Sequence, residues 1–147
     1  MESSTPTRVL VVAYRTAASP QLHEVVRERV QRGPCTITLL VPRDPVDDPD
    51  TETPEQALEH AVPLFAEATG QDVAGVLGDP DPFVAVRDTL RDGFDEVIVS
   101  TLPERFSRWL KRDLPTRVEK LGVPVTVVTG PRAPMRLLPP RTSSLDY

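Results

Sequence analysis

The sequence predicts an open, five-stranded parallel α/β sheet with helices on both faces, a three-layer Rossmann-like sandwich. Three observations predict it. Five short apolar runs recur along 147 residues, each rich in β-branched residues or leucine. Segments with helical periodicity separate them. Hydroxyl or aspartate residues followed directly by proline open three of those segments. Strands that alternate with helices imply a parallel sheet covered on both faces, joined by right-handed crossovers.

The elements follow in order. Val9 to Ala13 is a continuous apolar run, as expected of a strand buried on both sides. Ser19-Pro20 opens a helix, with serine as cap and proline in the first turn. Leu22, Val25, Val26 and Val30 form its apolar stripe, and Gly33-Pro34 stops it. Cys35 to Val41 is the second strand. An acidic loop follows, Pro42 to Glu52. Thr53-Pro54-Glu55-Gln56 has the form of a capping box. Its helix carries Leu58, Ala61, Val62 and Phe65 on one face, contains Pro63, which should kink it, and stops near Gly70. Asp72 to Leu77 is the third strand, and Asp81-Pro82 opens a helix with Phe83, Val86 and Leu90 inward. Glu96 to Val99 is the fourth strand. Pro103 to Gly122 reads as a short helix, a break at Asp113-Leu114-Pro115, and a second helix from about Pro115. Pro124 to Thr129 is the fifth strand. Residues 1–7 read as a loose N-terminus, 8–129 as one domain, and 130–147 as a proline-rich tail.

Composition narrows the function classes. The net charge of −5 weighs against nucleic acid as the main partner, because phosphate binding needs clustered positive charge. The charge is uneven: residues 43–59 hold seven acids and one base, and 104–120 hold six bases and three acids. A single cysteine, Cys35, leaves no internal disulfide framework and no multi-cysteine zinc site. His23 and His60 lie far apart and have no metal spacing. Asp47, Asp48 and Asp50 do not follow an EF-hand pattern and read as solvated charge. No metal or cofactor is expected. No apolar run approaches a membrane span, the N-terminus lacks the marks of a signal peptide, and a cytoplasmic location is the expectation.

In a sheet of this kind a ligand sits at the carboxyl ends of the strands, near a switch in strand order. Those ends fall at Ala13-Tyr14-Arg15, Val41-Pro42, Gly78-Asp79 and Ser100-Thr101. No nucleophile and general base pair appears among them, so catalysis is not expected. Cys35 reads as a buried thiol with no histidine partner. Asp79 and Asp81 read as turn and cap residues. Arg105, Arg108 and Arg112 would share one face of a helix, with Phe106, Trp109 and Leu110 toward the core. That basic face reads as solvated charge, or as a contact for an acidic partner such as the Asp44–Glu59 loop of another subunit. Trp109 reads as a packing anchor. Leu137-Leu138 in the tail could dock on a subunit.

Four stretches carry a family resemblance. They are Arg8-Val-Leu-Val-Val-Ala13, Val76-Leu-Gly-Asp-Pro-Asp81, and the pair Glu96-Val-Ile-Val-Ser-Thr101 with Pro124-Val-Thr-Val-Val128. Their order and spacing over about residues 8–129 resemble the universal stress protein family. The resemblance implies an open α/β fold, often dimeric, whose members in many cases bind ATP. It also implies an aspartate at the end of the first strand and three spaced glycines after the fourth, the last followed by serine or threonine. Glycines there let backbone N–H groups approach phosphate. This chain has Tyr14 in place of the aspartate. It has Thr101 and Glu104 in place of the first two glycines, and Arg112-Asp113 near the third. Glu104 and a capping Asp113 would repel a triphosphate. The implied function is a non-catalytic binding or adaptor protein of the stress response. It has no ATP, a degenerate pocket at Ala13, Tyr14, Val41, Gly78, Thr101, Glu104 and Asp113, an unidentified protein partner and no nucleic acid. It would form a homodimer through Pro124–Thr129, since an exposed edge strand invites pairing. The alternative is a small-ligand or nucleotide sensor with a retuned pocket lined by Tyr14, Val41 and Thr101.

Overall fold

The computed structural model describes residues 6–43, 52–103 and 107–129. Ten elements follow one another: β1 (Thr7–Val12), α1 (Pro20–Gln31), β2 (Cys35–Pro42), α2 (Pro54–Thr69), β3 (Val73–Gly78), α3 (Pro82–Leu90), β4 (Glu96–Thr101), α4 (Arg108–Lys111), α5 (Leu114–Glu119) and β5 (Val125–Thr129). Most boundaries lie within a residue or two of the sequence reading, but α4 begins at Arg108 and α5 ends at Glu119, inside the Pro103–Gly122 span read as helical. The first strand begins at Thr7, inside the segment read as loose, because its N–H donates to the Pro34 carbonyl at 3.2 Å and extends the ladder.

All four pairings are parallel and the strand order is β3-β2-β1-β4-β5. β1 is therefore central, and Val9, Leu10, Val11 and Val12 are wholly buried, as its unbroken apolar run requires. The chain leaves β1 for β2 on one side and later arrives at β4 on the other. That reversal opens a crevice at the carboxyl ends of β1 and β4, the place where such sheets hold ligands.

Local chemistry explains the helix starts. Ser19 Oγ accepts from the Leu22 N–H, and Thr53 and Gln56 form the reciprocal capping box. Asp81 Oδ1 accepts from Phe83 and Val84, and proline stands in the first turn of each of these helices. α2 ends at Gly70, which takes the left-handed conformation (φ 72°) that closes a helix. Pro63 does not break α2; it lies on the exposed side of one continuous helix.

α1 and α2 pack together on one face, and α3 and α5 on the other. Leu22 and Val26 of α1 and Ala57, Ala61 and Phe65 of α2 are buried in a core continuous with the strands. Leu58 and Val62 pack at its margin. One polar link ties the first layer to the sheet. Arg29 of α1 donates through Nε (2.8 Å) and Nη2 (3.2 Å) to the two carboxylate oxygens of Glu96, at the start of β4.

Candidate functional site

The crevice between β1 and β4 gathers the chain's buried hydroxyls. Thr16, Ser19, Ser100, Thr101 and Ser107 are the buried polar residues among those described, and all lie on or just beyond the carboxyl ends of these two strands. Thr16 and Ser100 share a hydrogen bond of 2.5 Å between hydroxyls, which links the β1–α1 turn to the end of β4. Ser19 and Ser107 serve as helix caps. Thr101 is different: it is 3% exposed and its Oγ1 has no hydrogen-bond partner among the described residues.

An unpaired buried hydroxyl costs about 1–3 kcal/mol relative to a satisfied or apolar group. Valine is nearly isosteric and removes the orphan atom. Thr101→Val should therefore raise stability by about 1 kcal/mol, read as a higher urea midpoint at unchanged slope. A drop in midpoint would show that the hydroxyl has a partner in solution.

Tyr14 closes one side of the crevice. It is 7% exposed, and its phenol donates to the Glu52 carbonyl at 2.5 Å, just ahead of the α2 cap. The bond spans the mouth between the first strand's end and the connection into α2. Ala13 and Val41 are wholly buried beneath it. Gly78, at the end of β3, faces α3, where a Cβ would stand 2.6 Å from the Ala85 Cβ. Its lack of a side chain therefore serves helix–strand packing. Glu104 and Arg105 lie outside the described residues.

One reading of the 103–122 segment needs correction. Asp113 precedes α5, but its carboxylate makes no capping bond. The residue carries the α4–α5 reversal in the left-handed conformation (φ 59°, ψ 38°), which aspartate tolerates better than most residues. That backbone leaves an exposed side chain off the α5 N–H groups, so Asp113 does not fill the anion position. Of the basic face read through Arg105, Arg108 and Arg112, Arg105 lies outside the described residues; Arg108 and Arg112 stand one turn apart, the Arg112 N–H donating to the Arg108 carbonyl at 2.9 Å, and both are exposed. Ser107 caps α4 and the helix runs only from Arg108 to Lys111, with Arg112 already its C-cap. The chain turns at Asp113, at the break read from the sequence, and α5 starts at Leu114 with Pro115 in its first turn. Trp109 is buried, as a packing anchor should be. The acidic stretch 44–51 and the tail 130–147 lie outside the described residues.

The other candidates have structural partners. Cys35 is buried, and burial pushes its thiol above the ordinary value, which opposes thiolate chemistry. His23 lies against the Phe65 ring, 4.4 Å between centroids, with Nε2 2.9 Å from the Ala17 carbonyl. His60 is exposed beside Glu52 at 3.4 Å. Asp79 Oδ1 accepts from the Asp81 N–H, so both aspartates hold the turn into α3. Among the described residues no group of three or more His, Cys, Asp or Glu is placed to hold a metal ion. No helix among them is long and apolar enough to cross a membrane.

Sequence reasoning placed the strand ends but missed two features. One is the Arg29–Glu96 pair, 67 positions apart, which no local spacing announces. The other is the unsatisfied Thr101 hydroxyl, which depends on what does not reach it. Comparison with protein-family models and with curated proteins gives no match. Among solved structures, a lipopolysaccharide core biosynthesis protein from Thermoplasma volcanium is similar at 17% identity and a TM-score of 0.48, over 87% of this chain and 98% of that one.

Proposed function

We propose that this chain is a non-catalytic binding or adaptor protein of the universal stress type. It does not hold ATP, acts in a stress response and self-associates through the β5 edge. Tyr14 carries the reading. Where the ATP-binding members of the family it resembles have a strand-end aspartate, a buried aromatic ring is tethered across the crevice mouth to Glu52. A ring in that place occupies volume a ribose would need. With no glycine between Gly93 and Gly122, the backbone after β4 also lacks the close approach that phosphate requires.

Melting with and without millimolar Mg-ATP tests this. A ligand at a hundred times its dissociation constant adds about 2.7 kcal/mol, a rise of about 5–10 °C for a domain of this size. No shift is expected, and a shift in that range would overturn the reading. One observation favours the sensor alternative: the Thr101 hydroxyl, buried at the end of β4 and without a partner among the described residues, offers a polar ligand an unmet bond. Native mass spectrometry of the purified chain separates the two. A bare mass agrees with the adaptor, and a small molecule that dissociates on activation agrees with the sensor.

A further inference from the structure

A second concave feature lies at the opposite end of the sheet from Tyr14. Arg29 and Arg32 at the end of α1, Glu96 at the start of β4, and Pro124 and Thr126 at the foot of β5 line an open groove of about 390 Å³. Arg29 is held rigidly, its side chain only 12% exposed and forked onto Glu96. Two of its five N–H donors are used there, so the remainder stay in place at the groove wall. Arg32 is exposed, and its guanidinium makes no hydrogen bond or ion pair among the described residues. The lining thus carries one net positive charge. The carbonyl end of α1 and the Glu96 carboxylate disfavour a multiply charged anion, so the groove suits a single carboxylate.

The groove is continuous with a free strand edge. β5 is one of the two edge strands, and among the described residues nothing pairs with its outer side. The Pro124 carbonyl accepts from the Val97 N–H at 3.0 Å, so Pro124, Thr126 and Val128 turn their backbone groups toward β4. The alternate residues Val125, Val127 and Thr129 present theirs outward. Val127 is also 42% exposed. Thr126 belongs to both strand and groove and Pro124 directly precedes β5, so a chain added along β5 runs past Arg32.

We infer that the β5 edge and this groove form one docking surface for an extended polypeptide segment that bears an acidic side chain. Its backbone pairs with Val125, Val127 and Thr129. Its carboxylate sits on Arg32 and the spare donors of Arg29. The inference rests on the adaptor reading and names the chemistry of the partner. A second copy of β5 fits the edge less completely: Pro124-Val-Thr-Val-Val-Thr129 has no acid and would leave Arg32 unanswered. The acidic segment and a second copy therefore compete for the same edge.

The probes are two blocked hexapeptides of alternating valine and threonine, with one aspartate at either end, added to the full chain. One of the two should protect the amides of Val125, Val127 and Thr129 from hydrogen exchange. It should also shift any dimer toward a one-to-one complex in sedimentation. Changing its aspartate to asparagine, or Arg32→Gln in the protein, should weaken binding about tenfold. Arg32 is exposed, so that variant keeps the fold. Equal binding of the asparagine peptide overturns the inference. So does binding that Arg32→Gln leaves unchanged, or the absence of peptide binding. So does acetate alone reproducing the Arg32-dependent affinity, which would make the groove a site for small acids. Concentration-dependent protection of β5 that no peptide displaces assigns the edge to a second copy. A melting shift with Mg-ATP would sink the adaptor reading without touching these results, so the two failures are distinguishable.

Discussion

Phe65→Ala should unfold the chain about 3–5 kcal/mol more easily, the largest single effect expected of any variant considered. Phe65 is wholly buried on α2, the largest such side chain among the described residues. Its ring meets His23 of α1 at 4.4 Å between centroids, tilted by 57°, so it joins two helices of one layer as well as covering the sheet. Truncation to alanine removes that surface and leaves a cavity, since α2 is pinned at both ends. The Thr53–Gln56 box fixes its start and Gly70 its stop. A helix so pinned collapses poorly into a void, which places the cost toward the upper part of the range. Domains have about 5–15 kcal/mol of net stability, so the variant should be partly unfolded at 37 °C. Urea unfolding at unchanged slope checks this. A loss below about 1 kcal/mol would mean that the layer repacks and Phe65 is not its anchor. His23 should lose ring contact but keep its bond to Ala17, so its environment changes while the start of α1 holds.

How far the sequence discloses this molecule depends on the range of the interaction. The parallel sheet is legible because central strands need residues buried on both faces, and Val9–Val12 can serve nothing else. The caps are legible because Ser19, Thr53 and Asp81 act on N–H groups two or three residues away, with proline marking the first turn. Asp113 shows the limit of that logic. It has the same residue type ahead of the same proline signal, yet its backbone spends the position on a chain reversal and its carboxylate caps nothing. The strand order is not written in the periodicity, since any permutation of five apolar strands reads alike; the structure alone supplies it. The site is less legible still. Thr16 and Ser100 are 84 positions apart and meet only because β1 and β4 are neighbours. The groove at the foot of β5 has the same origin, with Arg29, Glu96 and Thr126 brought from three separate elements.

Gly78 allows a decision between site and scaffold. The sequence puts it at a strand end, where glycine commonly marks close approach to a ligand. The structure puts a different neighbour there: a Cβ would stand 2.6 Å from the Ala85 Cβ and 2.8 Å from Leu40 Cδ1. Leu40 is wholly buried and Ala85 is 1% exposed, so neither can step aside cheaply. No positive φ is involved at Gly78, so the residue is needed for room and not for backbone freedom. Gly78→Ala should therefore destabilise by about 1–3 kcal/mol through overpacking, and Gly78→Val by more, because its methyls push α3 off the sheet. The paired change Gly78→Ala with Ala85→Gly restores the space. Corrected for the separate cost of glycine in α3, it should recover part of the loss, a coupling of about 0.5–3 kcal/mol in a double-mutant cycle. Additive losses would show that the clash is not the cause. If Gly78→Ala instead melts like the parent, with a changed co-purified ligand, the glycine belongs to a pocket and the crevice is a working site. The expected coupling assigns it to the scaffold and leaves Tyr14, Thr16, Ser100 and Thr101 as the residues that define the crevice.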